Sequence, residues 1–445
     1  MTGNTQIPLY NKLVTAYNDS DLTAEAMPLQ DIRKTAFSRF SELGFPTTKL
    51  EDWKHTNVIP FLKEEFSPEA TANTAVDAAL VQQSLIPGLD GYRVVLVNGV
   101  LSEAHSVLPH LPGVTIMSLS EAKNTRAFHE YFAKETRINE SHFTTLNTAL
   151  FTDGLFIEVK AGKTIDKPVQ VIHMFTAGSE TMIQPRHLFI MEASASADII
   201  ETIAAPANTA PVLVNSVTEI EVKENARLYH CNLQAMPKAI SYLNHTEVRE
   251  ERYSHYSNYT FSFPEAAFIR NNLHIAFDGE YAEGNLYGLY LASGQQLVDN
   301  HTLVDHRVPN CNSNEWYKGI LLDRAAGVFN GKIKVHQDAQ KTNAFQKNNN
   351  ILIDTKARIN TKPQLEIFAD DVKCSHGCTV GRFDEAALFY LRSRGIGEAS
   401  AHTMLIEAFA TDITEKLCIP ELREYLQRLI KGFLEAKGEN GNVKQ

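Results

Sequence analysis

Cysteine is scarce in this sequence. Its 445 residues include five, Cys231, Cys311, Cys374, Cys378 and Cys418. An odd, sparse set in so long a chain does not make a disulfide framework and fits a reducing compartment. Long apolar runs are also missing. No stretch approaches the roughly 18 uninterrupted apolar residues of a membrane span. The opening MTGNTQIPLYNKLV lacks the basic start and apolar run of a secretory signal. The expected location is therefore the cytoplasm, away from any membrane. Basic charge is in deficit too: 42 Lys and Arg against 53 Asp and Glu give a net charge of -11. That argues against nucleic acid or an anionic lipid surface as a partner, since both demand a basic face.

Nucleotide and hydrolase motifs are absent. Gly327-Val328-Phe329-Asn330-Gly331-Lys332-Ile333 looks like a phosphate loop at first sight. It has three residues between its glycines where four are needed, and Ile333 stands where a Ser or Thr would hold magnesium. No dinucleotide fingerprint, nucleophile elbow or H-E-x-x-H occurs. The expectation is a non-catalytic chain, with any energy source supplied by another protein.

What is present divides by period. Residues 1–92 read as a helical domain and linker. Leu9, Leu13, Val14 and Tyr17 mark one short helix, and Leu29, Ile32, Ala36, Phe37, Phe40 and Leu43 a second. Pro28 suits the second helix's first turn, and Gly44 followed by Pro46 its end. Residues 64–92 read as a loose connection. Residues 93–153 form a mixed α/β entry region, with strands in YRVVLVNG and VTIMSLS and helices over 120–134 and 141–151.

From 154 to 381 the period is two. Leu155, Ile157 and Val159 alternate with Phe156 and Glu158, and Ile220 and Val222 with Glu219 and Glu221. The strands break at 195–198, 224–226, 278–284, 323–331 and 354–360, with no long helix between them. A doubly wound sheet is disfavoured. The economical fold is a stacked β-solenoid, in which each coil buries its face on the next. Residues 382–436 return to helical spacing, with stripes through Leu388, Phe389 and Leu391, through Met404, Leu405 and Phe409, and through Leu422, Leu426, Leu429 and Phe433. These helices either cap the solenoid or dock a partner. Residues 437–445 read as a disordered tail.

The segment most suggestive of chemistry is Asp370-Asp371-Val372-Lys373-Cys374-Ser375-His376-Gly377-Cys378. On a strand, Cys374, His376 and Cys378 share a face. Two thiols and an imidazole suit iron or zinc, with Asp370 and Asp371 as nearby hard ligands. The spacing is not that of a closed structural zinc site, so a shell would need another chain or loop. The other reading is two small buried thiols and a hydrogen-bonded histidine. A second cluster, Asp299, His301 and Asp305, also shares a strand face, either as a metal site or as a hydrogen-bonded polar ladder. Asn348, Asn349 and Asn350 read as a ladder or turn.

Residues 297–381, from LVDNHTLVDHRVPN to DDVKCSHGCTVG, resemble the SufB/SufD family of the SUF iron–sulfur cluster assembly system throughout. FYLRSRGI after them, and LEDWKHTN at residues 50–57, are similar as well. The match is strong over roughly the last third of the chain and diffuse before it. Length, the EDWK segment and the KCSHG phrase lean to the SufD branch. The resemblance implies a mainly β fold: a right-handed parallel β-helix core flanked by N-terminal and C-terminal helical domains.

The resemblance further implies a scaffold role. The partners would be SufB, paired through the β-helices, and SufC, an ABC-type ATPase docked on the C-terminal helices, with Phe389, Leu391, Met404, Leu405 and Phe409 as candidate contacts. A homodimer is the counterpart for the isolated chain. A transient iron–sulfur cluster, or iron shared with SufB, would form at the interface, with none tightly bound in the isolated chain. His376 matches the family's histidine implicated in cluster assembly, and Cys374 a common cysteine. Cys378 departs from the pattern, where alanine usually follows the glycine; it is a neutral swap or an extra ligand. Two rival functions remain: an autonomous carbohydrate-active β-helix enzyme, or a purely structural partner of SufB.

Overall fold

The computed structural model describes residues 7–20, 25–63, 66–68, 76–134, 141–382 and 385–439, apart from the side chains of 399, 438 and 439. Two parallel sheets face each other across a shared interior. In neighbour order one contains Tyr92–Val97, Val169–Met174, Ser196–Ala204, Arg227–Gln234, His255–Ser262, Glu283–Ala292, Asn312–Leu321, Asn343–Leu352 and Lys373–Gly381, with the short Val100–Leu101 beyond its first edge. The other contains Val114–Ser118, Leu155–Val159, Arg186–Met191, Val212–Val222, Ile240–Glu250, Phe268–Phe277, Leu297–His306, Ala326–Val335 and Arg358–Ile367. From Arg186–Met191 onward the chain alternates between the sheets, one strand in each per coil. Stacked partners such as Asn271 and Asn300 are 29 residues apart. This is a parallel β-solenoid. Its sheets begin earlier than residue 154, because Tyr92–Val97 and Val114–Ser118 are already edge strands. The stretch 323–331, expected as a break, is a turn followed at once by the strand Ala326–Val335.

The sequence has no strict repeat because the coils are bound by backbone, with side chains needing only to stack. Register is continuous: Phe268 lies beside Leu297, and Leu297 beside Ala326. Turns close with a residue in the left-handed region, among them Asn225 at φ 58° and Gly294 at φ 65°.

Alternation decides what goes inside. On Asn312–Leu321 the inward residues include Tyr317 and Leu321, which join the solenoid core with Phe277, Tyr290 and Phe329. Large and small residues interlock along two adjacent columns. Gly288 lies beside Tyr317, while Tyr290 lies beside Gly319. The interior is also polar in places. Glu315 is fully buried, accepting from Thr302 Oγ1 at 2.6 Å and from Gln346 Nε2 at 2.7 Å. His173 and His230 share the buried Glu201, each at 2.6 Å.

The helices clothe the outer faces. Pro8–Asp19 and Met27–Leu43 pack with Phe45, Trp53 and Phe143 over Leu213, Leu243 and Phe268 of the second sheet. The helical segment expected over 120–134 is two short helices, Leu119–Ala122 and Arg126–Tyr131, started by side-chain caps from Ser118 and Thr125. Arg186 binds this region to the solenoid. It is fully buried, pairs with Glu219 and donates to Thr148 Oγ1 at 3.0 Å.

At the other end, Glu398–Thr414 and Pro420–Glu439 place Ile406, Ala410, Ile413, Leu422, Leu426 and Ile430 against Tyr229, Tyr259, Tyr287, Leu289 and Ile320. These helices therefore cover the outer face of the first sheet, and among the described residues no element pairs with the last coil. Pro420–Glu439 also runs three residues into the expected disordered tail, where Lys437 pairs with Asp323 at 2.5 Å. The rest of that tail, 440–445, lies outside the described residues.

A Cβ at Gly288 would stand 2.2 Å from the Tyr317 ring, so Gly288→Ala must displace that ring within a packed interior. The expected cost is about 1–3 kcal/mol by urea unfolding; a loss under about 0.5 kcal/mol would mean that the column has slack. Burial also lowers His306 to about 3, so its neutral state supports the fold above the unfolded value of 6.5, and that support is lost as pH falls below it. Glu221 and Glu315, raised by burial to about 7, run the opposite way and lose their contribution as pH rises through 7. Comparing His306→Gln with the parent isolates the histidine. Between pH 7 and pH 5 the variant's stability is expected to fall by about 2 kcal/mol less than the parent's. Parallel stability curves would count against the assignment.

Candidate functional site at the open end of the solenoid

Lys373–Gly381 is the last strand of its sheet and Arg358–Ile367 the last of the other. Among the described residues no strand pairs with either on its far side. The two edges therefore present backbone donors and acceptors, and the inward columns of both sheets come out to solvent. Phe368 and Val380 are exposed beside them.

The sequence-derived row lies here. Cys374, His376 and Cys378 follow one another on alternate positions of Lys373–Gly381, in register with Ala344, Gln346 and Asn348 of the strand Asn343–Leu352. Those three neighbours are buried, so the row continues the interior face of the solenoid at the point where it opens. Cys374 is half-buried, and burial pushes its thiol up from the ordinary value. His376 and Cys378 are exposed. The row extends along the strand, with successive members about 6.6 Å apart, and does not gather round a point. Among the described residues no three His, Cys, Asp or Glu side chains converge to hold an ion. Asp370 and Asp371 are exposed in the turn that precedes the strand. The described residues supply no complete shell.

The second cluster has a different character. Asp299 is fully buried and accepts from Thr56 Oγ1 and Arg270 Nη1, both at 2.5 Å, with His301 Nε2 at 3.0 Å. Burial raises its carboxyl, but the Arg270 charge and His301 outweigh this and bring it down to about 2. The Trp53 ring covers the Arg270 guanidinium at 3.7 Å. This knot fastens the LEDWKHTN segment to the solenoid. Asp305 stands apart, with Arg307 at 2.9 Å and His336 at 2.8 Å. Asn348 and Asn350 form an inward ladder, Asn350 Nδ2 donating to Asn348 Oδ1 at 2.6 Å, while Asn349 faces outward and accepts from Trp316 Nε1.

Of the candidate docking residues, Phe389 is 74 % exposed, with Tyr390 and Met404 exposed beside it in sequence or on the next helix. Leu391 and Leu405 are half-buried. Phe409 turns toward the sheet, where Lys318 lies 3.8 Å over its ring. Two residues behind the row are not visible as site residues in the sequence, Gln346 and Glu315. Nothing in NSNEWYKGIL marks Glu315 as inward, and its pairing with Gln346 on the next strand follows only from register.

Residues 173–409 match the family described as SUF system FeS cluster assembly, SufBD core domain, and residues 5–171 match the SufBD protein N-terminal region. The chain is 32% identical over 378 residues to the iron-sulfur cluster assembly protein SufD of Escherichia coli, covering 84% of this chain and 86% of that one. It is 30% identical over 409 residues to an iron-sulfur cluster assembly SufBD family protein of Synechocystis, covering 89% of each. With the solenoid, its flanking helices and both family regions accounted for, this chain belongs to the SufBD family of SUF-system iron–sulfur cluster assembly proteins.

Proposed function

We propose that this chain is a non-catalytic scaffold subunit of a SufBCD-type complex in the cytoplasm, and that a nascent iron–sulfur cluster is built at the open end of its solenoid against SufB. The observation that carries the reading is the unpaired last coil with His376, Cys374 and Cys378 along its inward face. A bare sheet edge pairs readily with another edge, and here such pairing would bring the row under a second chain. An incomplete ligand row suits cargo that must leave again. Iron–sulfur clusters sit mostly on cysteine thiolates, and imidazole alters their lability and potential. His376 serves as a neutral imidazole ligand, Cys374 as a thiolate ligand, and Cys378 as a small neutral replacement.

Energy enters through SufC, an ABC-type ATPase docked on the C-terminal helices, where Phe389 and Met404 supply exposed apolar surface. ATP binding draws two SufC copies together, strains the SufB pairing through those helices, and opens the interface to iron and sulfide. Without SufB, the same edge pairs with a second copy of this chain.

The test is anaerobic co-expression of the tagged chain with SufB and SufC, followed by iron and sulfide analysis of the purified material. A ternary complex carrying both elements is expected. His376→Ala should bring both to background while the three chains still co-purify, and Cys378→Ala should leave them at the parent level. A chain that purifies alone and metal-free would overturn the reading. Equal metal on SufB–SufC with and without this chain would reduce it to a purely structural partner.

A further inference from the structure

The three residues behind the row differ in what they have left to offer. Ala344, beside Cys374, has no polar side chain. Asn348, beside Cys378, is spent: its Oδ1 accepts from Asn350 at 2.6 Å, and its Nδ2 donates to the Tyr290 hydroxyl and the Tyr317 carbonyl, both at 3.3 Å. Gln346, beside His376, has one atom free. Its Nε2 donates to Glu315 Oε2 at 2.7 Å, and its Oε1 is buried without a hydrogen-bond partner. Turning the amide over does not remove the deficit, because it would leave Nε2 in the partnerless place that Oε1 now occupies. Glu315 is itself fixed, its other oxygen accepting from Thr302 Oγ1 at 2.6 Å. Thr302 belongs to the opposite sheet, so the amide is anchored across the whole interior.

A buried carbonyl oxygen held this way calls for a donor. His376 is the next inward residue in register, and a neutral imidazole carries one N–H and one lone pair. No hydrogen bond of its ring is present among the described residues.

We propose that Gln346, locked by Glu315, is a positioning residue for His376: its Oε1 accepts the N–H of one ring nitrogen, which fixes the tautomer and turns the other nitrogen's lone pair out across the open end. This rests on the reading of His376 as an iron ligand. It assigns to Thr302, Glu315 and Gln346 the outer-shell part that carboxylates and carbonyls play behind ligating histidines. It also explains why the histidine, alone in the row, has a polar and unspent neighbour behind it.

The test begins on the full-length, metal-free chain with ¹⁵N-labelled histidine, whose ring shifts report the tautomer; His376→Gln identifies the resonance. The parent should show a single tautomer at His376. Gln346→Leu should give a mixture, and Gln346→Met, closer in shape, the same mixture if the leucine variant fails to fold. The exchange Glu315→Gln with Gln346→Glu keeps one donor and one acceptor in each place and should restore the single tautomer. Cobalt(II), added as a probe to the complex with SufB and SufC, should bind about 10–100-fold more weakly to the leucine variant. An unchanged tautomer in Gln346→Leu and Gln346→Met overturns the proposal whatever the metal does. If instead the tautomer responds while His376→Ala leaves cobalt binding untouched, the contact stands and the ligand reading fails.

Discussion

Every coil of this molecule satisfies its backbone on the coil beside it. In a parallel ladder alternate residues turn both N–H and C=O to one neighbouring strand and the residues between them to the other, so the stack is stable wherever it continues and deficient where it stops. The first coil is finished by two short antiparallel pairings, Tyr92–Val97 with Val100–Leu101 and Val114–Ser118 with Leu155–Val159. Among the described residues the last coil has no such finish. The helical segments that could have covered it lie along the outer faces, held by apolar contacts and by ties such as Lys318 to Asp412 and the Tyr259 hydroxyl to the Lys416 carbonyl. Soluble proteins blunt their sheet edges by bulges, prolines, charge or a covering element. On the proposed reading the open edge, with Phe368 and Val380 exposed at it, is where a partner pairs.

The same stacking turns the interior into columns. A residue in one coil meets the residue at the equivalent place in the next, so a polar group inside the solenoid must find its partner one coil away or across the sheets. Glu201 is served by two histidines, Glu315 by a threonine and an amide, and Asp299 on the outer face by arginine, threonine and histidine. A chain of such contacts can be closed inside the stack. At the open end the chain of contacts stops at Gln346, whose Oε1 has no hydrogen-bond partner.

Much of the fold is legible in the sequence because solenoid strands obey period two and helices period 3.6, and both patterns survive in Ile220–Val222 and in Leu422–Leu426–Leu429. The coil length is hidden, since backbone pairing imposes no identity on successive turns. The stretch 323–331 reads as a break because Gly327 and Gly331 suit turns. Both face inward instead, each needed where a Cβ would strike Ile359 or the Phe329 ring. The row at Cys374, His376 and Cys378 is legible as a shared face. That the face is an interior one brought to the surface is not, because it depends on where the stack ends. The Asp299 cluster is legible as a polar face but not as a tie, since its partners Thr56 and Arg270 are supplied by segments far away in sequence.

A row differs from a cluster in what it can hold. Three ligands drawn to a point make a site that keeps its ion whether or not anything else is bound. Three ligands spaced along an edge strand make no such site alone, and become part of one only when an opposing surface contributes the rest. On the proposed reading this is the useful property. Occupancy then depends on the partner's position, and anything that shifts the two surfaces relative to each other changes how firmly the cargo is held. A rigid support behind His376 is consistent with this division: the imidazole is kept ready in one orientation, while the ligand set that completes the shell is left to move.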